Sequence, residues 1–121
     1  MMDMLEFITD TLKSAAARVY LEKAPEGTDF PYVTYRFPTS NEAEFREDFI
    51  LEVNLWDHGE DTTALEELTE DVDEALNRTK HLTATADMQL SVYRINRMMI
   101  PDPDPKIRRR ELRYEVKAYL S

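Results

Sequence analysis

The chain has 121 residues, 42% hydrophobic and 33% charged, with a formal net charge of −10, two glycines and no cysteine. This is the size of one compact core, with apolar material enough to fold, and residues 1–121 read as a single domain. Disulfides, thiolate metal sites and a cysteine nucleophile are excluded, and Gly27 and Gly59 alone cannot build a glycine-rich phosphate cradle.

From Met4 to Arg18, the residues Leu5, Ile8, Leu12, Ala15, Ala16 and Val19 recur at steps of three and four, which predicts an amphipathic helix. Ala24-Pro25-Glu26-Gly27-Thr28-Asp29 reads as a loop, because proline cannot continue a helix and glycine admits a positive φ. Tyr32–Phe37 is rich in aromatic and β-branched residues, with Val33, Tyr35 and Phe37 alternating onto one face, so it reads as a strand. A polar turn region follows at Thr39–Glu42. In a second strand, Phe49, Leu51, Val53 and Leu55 share one face, while Ile50, Glu52, Asn54 and Trp56 share the other.

After the break at Asp57–Asp61, Thr63 and Glu66 fit a capping box, and Leu65, Leu68, Val72, Ala75 and Leu76 form the stripe of a helix over about 62–79. Two strand-like runs complete the chain, Met88 to about Met99 and Ile107 to Leu120. They are joined by Ile100-Pro101-Asp102-Pro103-Asp104-Pro105, which lacks an N–H at three positions and so reads as a stiff hairpin tip. Helix, two strands, helix, two strands predicts an α+β fold: an antiparallel sheet of about four strands with two helices packed on it.

Charge is distributed unevenly. Residues 1–87 carry 21 acids and 7 bases, whereas residues 88–121 carry 4 acids and 8 bases. An acidic chain is repelled by phosphate backbones, so tight nucleic-acid binding is not expected. No stretch has the length and apolarity of a membrane span, and the start lacks the pattern of a signal peptide, so a cytoplasmic protein is expected.

The acids around His58 lack the 12-residue frame of a calcium loop and read as a solvated turn with a helix cap, and His58 and His81 lie in no zinc motif. The serines lack a nucleophile-elbow context, and pairs of carboxylates are too abundant among 25 acids to nominate one. No enzyme, metal or cofactor is therefore expected. Six acids on the second helix, Glu66, Glu67, Glu70, Asp71, Asp73 and Glu74, precede any base and repel one another. The last hairpin carries the opposite sign. Separated blocks suit head-to-tail contacts between copies, although acidic helix and basic strands pairing within one chain is an equal reading. Tyr32, Ile50, Trp56, Tyr93, Ile95 and Tyr119 fall on the sheet face opposite the core. That face is covered either by a partner or by the first helix.

Three stretches, Val19-Tyr20-Leu21 with Ala24-Pro25 and Phe30–Tyr35, Phe49–Asp57 with the acidic helix behind it, and Arg109–Tyr119, together resemble the tail terminator, or tail completion, proteins of long-tailed bacteriophages and prophages. The resemblance spans almost the whole chain in diffuse aromatic and aliphatic patterns. It implies a non-enzymatic virion protein that assembles in the host cytoplasm. There it would form a homo-oligomeric, hexameric ring on the tail tube, stop its elongation and meet the head connector proteins.

Under that resemblance, contacts between subunits or to the tube fall to Arg94, Arg97, Arg108, Arg109, Arg110 and Arg113, with Trp56, Tyr93 and Tyr119. Candidates for an acidic lumen past which DNA slides are Glu42, Glu44, Glu47, Glu66, Glu67, Glu70, Asp71, Asp73 and Glu74. The alternative class is an acidic DNA mimic or adaptor that binds another protein. The basic final hairpin counts against mimicry.

Overall fold

The computed structural model describes residues 2–43, 46–77, 82–85 and 88–120. Helix α1 (Met2–Ala15) leads into a short strand β1 (Val19–Leu21), then β2 (Tyr32–Ala43) and β3 (Arg46–His58). Helix α2 (Thr63–Asn77) is followed by β4 (Leu82–Thr85), β5 (Met88–Met99) and β6 (Ile107–Leu120). The strands form one sheet in the order β1-β2-β3-β6-β5-β4. The α+β arrangement with two helices agrees with expectation, but the sheet has six strands rather than about four and is mixed, because β1 runs parallel to β2. The parallel pair forms because the loop between β1 and β2 returns the chain to the starting end of the sheet.

Alternation decides which side of the sheet is buried. Val33, Tyr35, Leu51, Val53, Leu55, Leu90, Val92, Leu112, Tyr114 and Val116 point to one face and are buried with Met4, Ile8 and Leu12 of α1 and Leu65, Val72 and Leu76 of α2 in a single cluster. Removing each of these large side chains from water stabilises the fold by roughly 1.5–3 kcal/mol. Both helices therefore lie on the same face and pack on each other. The expectation that α1 might cover the second face is overturned: its apolar stripe, Met4, Ile8, Leu12 and Ala16, is fully used against the first.

The capping at the start of α2 also differs from expectation. The carbonyl of Thr62 accepts from the N–H of Glu66, and the carboxylate of Asp61 accepts from both the N–H and the hydroxyl of Thr63, at 2.9 and 2.7 Å. Asp61, not Thr63, supplies the capping oxygen. These bonds from Thr63 hold the Asp61 carboxyl below its ordinary value. Within α2 the buried row is Leu65, Thr69, Val72 and Leu76; the Thr69 hydroxyl is accommodated by donating to the Leu65 carbonyl at 2.7 Å.

Candidate functional site

The charge blocks of the sequence meet across the helix face of the sheet. Glu66, Glu70, Asp73 and Asn77 follow one another on α2 at steps of four, three and four, beside the buried row, and so face β5 and β6. Arg97 pairs with Glu66 and with Glu70, the latter at 2.8 Å; Arg110 pairs with Glu66 at 2.7 Å; Arg94 pairs with Asp73 at 2.9 Å. The bond that Arg97 donates to Glu70 raises the Arg97 pKa further. The Asn77 side-chain oxygen accepts the backbone N–H of Arg94. Asp73 also accepts from the buried Tyr114 hydroxyl at 2.7 Å, and burial together with this carboxylate drives the phenol pKa far above its ordinary value. The self-repelling helix is thus relieved by arginines from another element of the same chain.

The opposite face carries a second, different network. Glu52 on β3 accepts from Arg36 on β2 and from Arg113 on β6, each at 3.1 Å, and from the Asn54 amide at 3.2 Å. Arg113 also reaches Glu111, and Glu52 and Glu111 are 3% and 4% exposed although neither helix lies on this side. Burial alone would raise the Glu52 carboxyl, but the bonds from Arg36 and Asn54 outweigh it and hold it below the ordinary value. Towards the end of β3, Arg109 stacks 4.6 Å from the centroid of Trp56 and donates to Asn54 at 2.9 Å. Trp56 stacks on Tyr32 with centroids 5.9 Å apart, and Phe30 meets Tyr32 at 5.3 Å with its ring tilted by 31°. The expected apolar face is therefore a plane of interlocked guanidinium, carboxylate and aromatic groups.

The residues singled out from sequence separate accordingly. Arg94, Arg97 and Arg110 face α2, whereas Arg109, Arg113, Trp56 and Tyr93 lie on the uncovered face, with Lys117 over the Tyr93 ring at 5.8 Å. Arg108 donates to the Gly59 carbonyl at 3.2 Å, and Tyr119 is exposed opposite Arg46. β6, which carries four of the six arginines, is an interior strand and not an edge of the sheet. Among the acids, Glu66, Glu70 and Asp73 are engaged by arginines, Glu67, Asp71 and Glu74 are exposed, Glu42 and Glu47 sit beside the β2–β3 turn, and Glu44 lies outside the described residues.

Sequence reasoning missed Arg36, Glu52 and Asn54. The signal was present in the alternation: Glu52 and Asn54 share the face of Trp56. A groove of about 410 Å³ lies beneath the hairpin tip, between Met99, Pro101, Asp102, Ile107 and Arg108. Among the described residues no three His, Asp or Glu side chains are grouped to hold a metal ion, and no helix is long and apolar enough to cross a membrane.

Comparison of the sequence with protein-family models and with curated proteins finds no match. Among solved structures, the fold is similar to a chain in the virion of a native gene transfer agent (GTA) particle. That chain is 12% identical, the match covers 93% of this chain and 84% of that one, and the TM-score is 0.64.

Proposed function

We propose that this chain is a structural protein of a phage-type virion that closes as a hexameric ring on the end of a tail tube. The ring stops elongation because its far side does not repeat the tube surface, and that side is offered to the head connector proteins. The observation that carries this reading is the fold shared with a chain of a GTA virion over nearly the whole length. The terminator-like pattern of Val19–Leu21, Phe30–Tyr35 and Phe49–Asp57 supports it. The role we propose is non-enzymatic, in keeping with ion pairs that, among the described residues, neutralise one another in a layer on each face of the sheet. Outward acids such as Glu67 and Asp71 are the candidates for a lumen that repels DNA.

The alternative of a DNA mimic loses support because three of the six acids on α2 are engaged by arginines, whereas mimicry gains from an unbroken row of carboxylates. The test is negative-stain imaging of tail tubes assembled with and without the purified protein. One ring at one end and arrested growth are expected. Tubes that lengthen unchanged with no density at either end overturn the reading.

A further inference from the structure

The sheet ends laterally in two short strands, β1 and β4, and each leaves most of its neighbour's outer edge without a strand partner among the described residues. Exposed strand edges template pairing with other chains, and proteins blunt them with proline, bulges and charge. β2 is blunted beyond β1: a bulge falls between Arg36 and Thr39, Pro38 has no N–H, and Glu42 follows. On β5, β4 covers Met88–Leu90 and the Asn77 side chain takes the Arg94 N–H. Among the described residues two windows carry exposed apolar side chains: the outer edge of β1 at Val19–Leu21, where the Leu21 carbonyl also accepts the Lys23 N–H at 2.7 Å, and the outer edge of β5 at Arg97–Met99.

These windows match each other. Through the register of the sheet, Val19 lies level with Val33, Leu55, Arg110 and Met99; Tyr20 with Thr34, Asn54, Glu111 and Met98; and Leu21 with Tyr35, Val53, Leu112 and Arg97. They run in opposite directions, because β1 is parallel to β2 and three antiparallel steps separate β2 from β5. Both carry exposed apolar side chains, Leu21 at 45% on one edge and Met98 and Met99 at 43% and 71% on the other. Glu22, exposed and next to Leu21, has a left-handed backbone (φ 64) and ends the β1 window there.

We propose that copies of this chain join side to side by adding strand to strand, Arg97–Met99 of one copy pairing antiparallel with Val19–Leu21 of the next. The junction is head-to-tail, so it leaves a free window at each end of any open row and is satisfied throughout only when the row closes. It rests on the ring reading above and names the edges that make the ring. Three residues a side bury far less than the ~1,000 Å² of a lasting interface, so single junctions are weak and closure holds them together.

The absence of cysteine makes the test direct. Tyr20→Cys with Met98→Cys in one chain places thiols opposite each other on the uncovered face of the joined sheet. Oxidised at high protein concentration, the double variant is expected to give dimers, trimers and higher cross-linked forms, whereas either single variant stops at dimers. Leu21→Lys is expected to shift the sedimenting species of the otherwise native protein to monomer while its melting temperature is unchanged.

Wild-type rings without cross-linked forms beyond dimer overturn the edge pairing and leave the ring reading standing. A series obtained instead with Tyr20→Cys and Asn96→Cys overturns the level register. A monomeric wild-type protein without cross-links, even on tail tubes, overturns both. A cross-linked series from a protein that does not cap tubes upholds the pairing and removes the terminator role.

Discussion

The Arg109 guanidinium lies over the Trp56 ring at 4.6 Å, held there by its bond to the Asn54 side chain. Trp56 is the single tryptophan of the chain, so its emission reports on this one site, where the ring also stacks on Tyr32 and its N–H donates to the Thr34 hydroxyl. Arg109→Ala is expected to shift that emission and to lower stability by about 0.5–2 kcal/mol, the range of a partly desolvated cation–π pair. Denaturant titration followed by tryptophan fluorescence measures both.

Glu52 is the centre of the uncovered face. Its folded carboxyl titrates below its ordinary value, so its contribution is complete above the unfolded pKa and is lost as pH falls through the folded one. Glu52→Gln is expected to destabilise the protein at neutral pH, by about 1–3 kcal/mol for charged hydrogen bonds lost at a buried site, and to flatten the acid limb of its stability profile. Melting temperatures of both proteins from neutral pH into the acid range test this. An acid limb of unchanged steepness would place the titrating group elsewhere.

Tyr114 should act at the other end of the scale. Its phenol is raised above the unfolded value, so its contribution is complete below the unfolded pKa and falls away as pH rises past it. Alkaline absorbance titration is expected to show one tyrosine that ionises only on unfolding. Tyr114→Phe is expected to remove that signal and, by leaving Asp73 with Arg94 as its charged partner, to cost about 1–2 kcal/mol.

Arg97 links two turns of α2 to β5. Arg97→Ala returns Glu66 and Glu70 towards the like-charge repulsion of an isolated acidic helix, softened by Arg110. A loss of about 1 kcal/mol is expected at low ionic strength, shrinking as salt is added, because these groups are partly exposed. Thermal melts across a salt series measure it.

Much of this was legible in the sequence because alternation and helical spacing report burial directly. Phe49, Leu51, Val53 and Leu55 share one face in the sequence pattern, and that face is the core face of β3. The helix on Leu65, Val72 and Leu76 was placed within two residues at its described start. Polar residues were harder. Thr39–Glu42 read as a turn, yet β2 runs through it to Ala43, because pairing with β3 overrides the weak preference of a polar run. Thr69 is absent from the apolar stripe read in the sequence, yet it is buried, its hydroxyl satisfied by the Leu65 carbonyl. For the charge blocks, periodicity placed each arginine on a strand and each acid on a helix but carried no information on which helix lay over which strand. The choice between pairing within the chain and pairing between copies was therefore open until the packing of α2 on β5 and β6 decided it for Arg94, Arg97 and Arg110.

Because α1 and α2 share one side of the sheet, the two broad surfaces of this small protein present different fields to their surroundings. Over the helices, Glu67 and Asp71 project a single sign into solvent; over the bare strands, Arg36, Glu52, Glu111 and Arg113 cancel one another within a side chain's length. A long polyanion drifting nearby is turned away by the first surface and is nearly indifferent to the second. Among the described residues, the two surfaces would therefore turn the domain to a preferred orientation in such a polymer's field.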